Sequence, residues 1–236
     1  ISDRCNLSCK HCSVYNHKNP LNKTYAQIKK ELEYCYSLGS RFVDFEGGEP
    51  FLWEDEGKNV NDLCTLAHSI GFFSCTITTN AQKDFSGSSA DSIWVSMDGI
   101  GEYHDAVRGK GAFERLEKNV AACGHPAFHT PFEGTEHLAL SPQKRNEVID
   151  LIISYKKKGY PIMNSVTGLN HMRDLKFKKA CWISNFIFTD GTRSDVCAGE
   201  AAGVCDKCGF CMAGEERAVM DLAPDTIKAG MNLRVK

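Results

Sequence analysis

Three cysteines crowd into positions 5 to 12, in the run Cys5-Asn6-Leu7-Ser8-Cys9-Lys10-His11-Cys12, and five more fall between positions 181 and 211. The strand stub before the first group covers only residues 1–4, so this C-x3-C-x2-C segment is expected to be a loop. Disulfide scaffolds are mostly short and loop-rich, whereas this chain has 236 residues and alternates strand with helix patterns. Reduced thiols that hold metal in a cytoplasmic enzyme are therefore the expectation for both groups. The scattered Cys35, Cys64, Cys75 and Cys123 lie in apolar patterns and read as small buried hydrophobes.

The alternation begins at once. Thr24 and Gln27 have the spacing of a capping box, and Ile28, Leu32 and Cys35 then share one helical face, which predicts a helix over 24–38 stopped near Gly39. A strand over 41–45 runs into Glu46-Gly47-Gly48-Glu49-Pro50, followed by a helix over 61–70, strands over 72–79 and 93–97, and a helix over 112–123. Residues 127–132 read as one further strand and 146–158 as a last long helix. Strands separated by helices make βαβ units, hence a parallel sheet, open or closed into a barrel. The fold class expected is α/β, a partial (β/α) barrel of about five parallel strands, counting the N-terminal stub.

From about Lys176 the pattern changes. Residues 182–188 and 193–196, joined by Thr189-Asp190-Gly191-Thr192, read as a β-hairpin with Cys181 and Cys197 at its ends. The organisation expected is a partial barrel over 1–163, a polar linker over 164–174 and a small cysteine-rich extension over 176–236. The formal charge of −2 lacks the basic excess of a nucleic-acid binder, and no apolar run approaches the ~18 residues of a membrane span.

Three thiolates suit a [4Fe-4S] cube with one iron left without a protein ligand, because four thiolates would complete the coordination of all four irons. Such an iron can bind a small molecule, as a catalytic zinc with a vacant position does. Zinc is the alternative, although C-x3-C-x2-C matches the paired C-x2-C spacing of structural zinc sites poorly.

With this loop the sequence resembles the radical S-adenosylmethionine (SAM) superfamily over roughly residues 1–135, His11 falling where that family commonly has an aromatic residue or His. Gly47-Gly48-Glu49-Pro50 is similar to the family's GGEP motif, which implies that these residues hold the amino group of the SAM methionine moiety. Thr78-Thr79-Asn80 and Ser96-Met97-Asp98-Gly99, at the ends of the next two strands, are similar to the family's polar strand ends. The resemblance implies cofactor contacts from Thr79 and Asn80, and ribose and carboxylate contacts from Ser96, Asp98 and Arg108. A solvated loop charge is the other reading of Arg108. A family core has six strands, so one βα unit is missing here.

Cys181, Cys197, Cys205, Cys208 and Cys211, spaced C-x15-C-x7-C-x2-C-x2-C, resemble the SPASM or twitch modules that carry auxiliary clusters. Five cysteines complete at most one four-thiolate cluster, an auxiliary [4Fe-4S], and Cys181 and Cys211 have the weakest claims. A zinc site remains open, because Cys205-x2-Cys208 is knuckle-like. The resemblance implies reductive SAM cleavage to a 5′-deoxyadenosyl radical, a flavodoxin- or ferredoxin-like electron donor, and an unknown substrate with a peptide as one candidate. An electron-transfer protein and a zinc-binding interaction module are the rival readings.

Overall fold

The computed structural model describes residues 1–12, 20–99, 101–123, 141–159, 162–201, 203, 205–209 and 211–232. It divides into two compact units, one made of Ile1–Ala127 and Ile187–Arg193, the other of Phe128–Phe186 and Ser194–Lys236.

In the first unit, helix α1 (Tyr25–Ser37) begins on the Thr24/Gln27 capping box, Gln27 N donating to Thr24 Oγ1 at 3.2 Å and Thr24 N to Gln27 Oε1 at 2.8 Å. Strand β1 (Phe42–Phe45) follows, then the short antiparallel pair β2 (Glu54–Asp55) and β3 (Lys58–Asn59). Helix α2 (Val60–Ile70) carries a second capping box, from Asn59 and Asp62, and stops at Gly71. Strands β4 (Ser74–Thr79) and β5 (Ser92–Val95) complete a parallel sheet in the order β1-β4-β5, with Asp44 beside Thr76 and Thr76 beside Ser92. Helices α3 (Glu102–Arg108) and α4 (Ala112–Cys123) follow.

Side chains alternate across a strand, so one face of this sheet carries Phe45, Cys75 and Ile77. They pack on Ile28 and Leu32 of α1 and on Leu63, Cys64 and Ala67 of α2, all buried. The α/β class and the parallel sheet therefore hold. Three strands form the described sheet; the N-terminal stub adds a parallel bridge from Ser2 to Gly47 at its β1 edge. The strand expected over 127–132 lies outside the described residues.

The second unit has a helical core. Ile149 and Ile152 of α5 (Pro142–Lys157) pack with Leu169 of α6 (Val166–His171) and with Met172 and Leu175. The segment 164–174, read from sequence as a linker, is built around α6, whose N-cap Ser165 accepts from Gly168 N at 2.8 Å. The expected hairpin is shorter than its apolar pattern: only β6 (Phe186–Ile187) and β7 (Arg193–Ser194) pair, and Cys181–Ile183 form a 3-10 turn instead. Trp182 and Ile183 are exposed, so there is no apolar surface to hold them in a strand. The chain continues through α7 (Ala198–Ala201), α8 (Cys211–Met220) and α9 (Pro224–Asn232), and no described helix is long and apolar enough to cross a membrane.

Candidate cofactor site

The N-terminal cysteine loop starts where residues 2–4 run beside 47–49. Gly48 N donates to Ser2 O at 2.6 Å and Glu49 N to Arg4 O at 2.8 Å. Gly47 has φ of 148°, and a Cβ on either Gly47 or Gly48 would collide with the backbone of Ser2 or Arg4. The two glycines thus serve a close approach of the chain to itself, a role the sequence did not disclose.

Glu49 lies at the centre of this arrangement and is fully buried. Its Oε1 accepts from Thr79 Oγ1 at 2.8 Å and Phe51 N at 3.2 Å, and its Oε2 from Asn80 N at 2.8 Å. A carboxylate offers about four acceptor positions, so three protein donors leave room for about one more. Burial raises its pKa, and the bonds from Asn80, Thr79 and Phe51 oppose that rise. Pro50 opens the 3-10 turn Pro50–Leu52 that Glu49 caps.

Asn80 joins the strand ends to the cysteines. Its Nδ2 donates to Asn6 Oδ1 at 2.8 Å and reaches Cys5 Sγ at 3.5 Å. Cys9 is buried and Cys5 and Cys12 are partly exposed; Lys10 N donates to Val107 O at 3.0 Å, which pins the loop to α3. The pKa of Cys9 is pushed up to about 11, chiefly by burial, with Cys5 and Cys12 adding and Arg108 opposing. Burial also raises Cys5.

Asp98, past the end of β5, pairs with Arg108 Nε and faces His11 Nε2 at 3.6 Å. Arg108 is buried, so the solvated-charge reading falls away. Asp98 N donates to His104 Nδ1 at 3.2 Å; His104 is wholly buried, its Nε2 has no partner among the described residues, and burial lowers its pKa to about 4. Nothing in the sequence marked His104 or Asn6. Ser96 N donates to Thr79 O at 2.9 Å, which holds the β5 end beside the β4 end.

Among the described residues no three His, Cys, Asp or Glu side chains are drawn together tightly enough to hold a metal ion. The donor set still suits an iron-sulfur core. Thiols on one short loop that raise one another's pKa lack a positive centre, and iron supplies one, deprotonating its thiol ligands outright.

In the second unit Cys181, Cys197, Cys205 and Cys208 influence one another. Burial, then Glu216, then Cys197 and Cys208 push Cys181 up to about 12, and Cys205 is raised by burial and by Cys197. Cys181 thus lies within electrostatic reach of Cys197 and Cys208. The side chain of Cys211 lies outside the described residues, as does that of Cys123. No disulfide joins the described cysteines; Cys64 and Cys75 are core residues as expected, and Cys35 packs against that core half-exposed.

The sequence model of the Radical SAM superfamily matches residues 1–126 of the 236, and the chain belongs to that superfamily. Members carry a [4Fe-4S] cluster and use SAM. The mycofactocin maturase MftC of Mycolicibacterium smegmatis is 33% identical over 129 residues, covering 51% of this chain and 32% of the relative. The pre-heme d1 synthase of Dinoroseobacter shibae is 31% identical over 133 residues, covering 52% and 32%. The chain thus spans about a third of the length of these curated relatives. The solved structure of native anSMEcpe with bound AdoMet and Cp18Cys peptide shares the fold, with a TM-score of 0.53 at 14% identity over 81% of this chain and 70% of that one.

Proposed function

We propose that the chain is a SAM-cleaving radical enzyme whose cluster is held by Cys5, Cys9 and Cys12. The observation that carries this reading is Asn80, which ties the cysteine loop, through Cys5 and Asn6, to the buried Glu49 carboxylate. A cluster held by Cys5, Cys9 and Cys12 would supply the electron for reductive cleavage of SAM. The protein's part is positioning. The remaining acceptor position of Glu49 takes the SAM ammonium, with Gly47, Gly48 and Pro50 fixing that carboxylate from behind, while Thr79, Ser96, Asp98 and Arg108 border the rest of the cofactor.

The cysteine-rich extension over 176–236 acts as a SPASM- or twitch-like module, with Cys181, Cys197, Cys205 and Cys208 holding an auxiliary [4Fe-4S] cluster and Cys211 as the fifth thiol. The barrel over 1–163 carries the SAM chemistry. The maturase relative favours a peptide substrate, in the reducing cytoplasm. The electron comes from a flavodoxin- or ferredoxin-like donor, and the basic side chains of Arg4, Lys58 and Lys83 near Cys5 would attract an acidic one.

Anaerobic reconstitution with iron and sulfide, then reduction with dithionite in the presence of SAM, tests the proposal. The expected product is 5′-deoxyadenosine. Iron uptake without that product would favour an electron-transfer protein, and zinc in place of iron an interaction module.

A further inference from the structure

The sheet of the first unit has two unlike faces. The face opposite the helices carries Asp44 of β1, Ser74, Thr76 and Thr78 of β4 and Ser92 of β5, set side by side by the register Asp44–Thr76–Ser92. Thr78 Oγ1 donates to Asp44 Oδ2 at 2.8 Å, and Thr76 Oγ1 and Ser92 Oγ lie 2.6 Å apart. Glu46, two residues beyond Asp44, is exposed, and its carboxyl is within hydrogen-bonding reach of that of Asp44.

Asp44 and Glu46 stand directly before the GGEP segment on a face that carries Phe42 and Trp94 besides its hydroxyls, and the Ile1 ammonium is a counter-charge that favours the ionised form of Glu46. Asp44 Oδ1 is buried and has no donor among the described residues. Ser74 is 1% exposed, shares this strand face, and its Oγ is likewise unpartnered among the described residues. The Ile1 nitrogen donates to the Glu46 carbonyl at 2.7 Å, not to its carboxylate. Burial, and then the neighbouring Glu46, push the Asp44 carboxyl well above the usual carboxylate range. The buried Asp44 Oδ1 therefore has an acceptor position open to an N–H donor.

We propose that Asp44 and Glu46 are the subsite for a cationic group of the substrate, an ammonium or guanidinium of the kind a lysine or arginine side chain carries. This deepens, and rests on, the proposed function, which places the SAM-binding residues Glu49 and Asn80 at the same end of the sheet. An organic cation suits the pair better than a metal ion. Among the described residues no third His, Cys, Asp or Glu joins the two carboxylates to make a metal site, whereas an ammonium or guanidinium offers enough donors to meet both acids.

The test measures binding of N-acetyl-lysinamide and N-acetyl-argininamide to the whole reconstituted chain by saturation-transfer NMR, against the same lysine with its ε-amine acetylated. The cationic probes are expected to bind at least about tenfold tighter than the acetylated one, a preference of about 1.4 kcal/mol. Asp44→Asn with Glu46→Gln together should abolish it. Should the double variant fail to fold, Glu46→Gln alone carries the test, because an exposed side chain contributes little to the core. That single variant should lower the preference severalfold.

Equal binding of the neutral probe, or an undiminished preference in the double variant or in Glu46→Gln, would overturn the proposal. So would competitive displacement of the cationic probes by micromolar Ca²⁺ or Mg²⁺. Formation of 5′-deoxyadenosine by the parent is followed alongside. Its absence counts against the radical-SAM reading, while the preference between probes judges the acid pair separately.

Discussion

The two groups of cysteines are built on opposite kinds of support. Cys5, Cys9 and Cys12 sit on a loop held at one end by the pairing of residues 2–4 with 47–49, along its length by Asn80, and past Cys9 by the Lys10 amide on α3. Cys181, Cys197, Cys205 and Cys208 sit on or beside single turns, the 3-10 segments Cys181–Ile183 and Cys205–Lys207 and the four-residue α7. What organises that second region is α8. Its Glu215 accepts from Ser165 N and Oγ, and its Glu216 accepts from Ser184 Oγ at 2.7 Å and hydrogen-bonds with Cys181. The loop of the first group is thus held by a sheet, and the turns of the second are organised by a helix.

The largest effect that tests this difference is on chemistry. Cys9→Ser should abolish 5′-deoxyadenosine formation and lower bound iron from about eight to about four per chain, as two [4Fe-4S] clusters require. Iron analysis and product assay on the reconstituted variant check it. Parent-rate cleavage would remove Cys9 from the ligand set.

Next comes the support itself. Gly48→Ala pushes a methyl into the Arg4 carbonyl, and backbone has no rotamer to yield, so a loss of roughly 3 kcal/mol or more is expected in a denaturant titration. Iron at the first site should fall with it while the second site stays loaded. Loss of both together would show that the two supports are not independent.

Within the second group, Cys181→Ser should remove that site's iron, and Cys211→Ser should keep it. The opposite outcome, read by iron content, would put Cys211 in the ligand set in place of Cys181.

Acid should act on the first region through His104. Its folded pKa of about 4 lies below the ordinary 6.5, so the unfolded chain binds the proton first and stability falls as pH drops between those values. The loss amounts to about 3 kcal/mol at most, with no dependence from this residue above about pH 7.5. Melting of His104→Asn against pH should show a flatter acid limb than the parent.

The smallest effect is that of Glu49→Gln. An amide would set a donor against the Asn80 N–H or the Thr79 hydroxyl, at a cost of about 1–3 kcal/mol in the fold as well as in SAM affinity. Unchanged melting together with weakened SAM binding would mean that the three internal bonds are dispensable.

Much of this was legible wherever the signal was local. The Thr24/Gln27 box, the β1 and β4 strands and the motif positions could be read because each depends on residues a few places apart. Asn80 was identified as a strand-end polar residue, but its partners Cys5 and Asn6 lie over 70 positions away, and no spacing encodes such a contact. Helix α6 was taken for a linker because Val166–His171 is too short to show a period, and its cap is completed by Glu215 from a distant helix. The hairpin was overextended because residues 182–188 were read as one strand up to the turn over 189–192, whereas Trp182 and Ile183 face solvent in a 3-10 turn.

The pairing of residues 2–4 with 47–49 also has a bearing on biogenesis. The three thiols leave the ribosome well before Gly47 and Gly48, and until those glycines follow, the segment preceding Cys5 has no strand to lie against. The ligand loop is therefore a late arrival in folding, although it comes early in synthesis. Iron delivered to a nascent chain would meet an unanchored peptide.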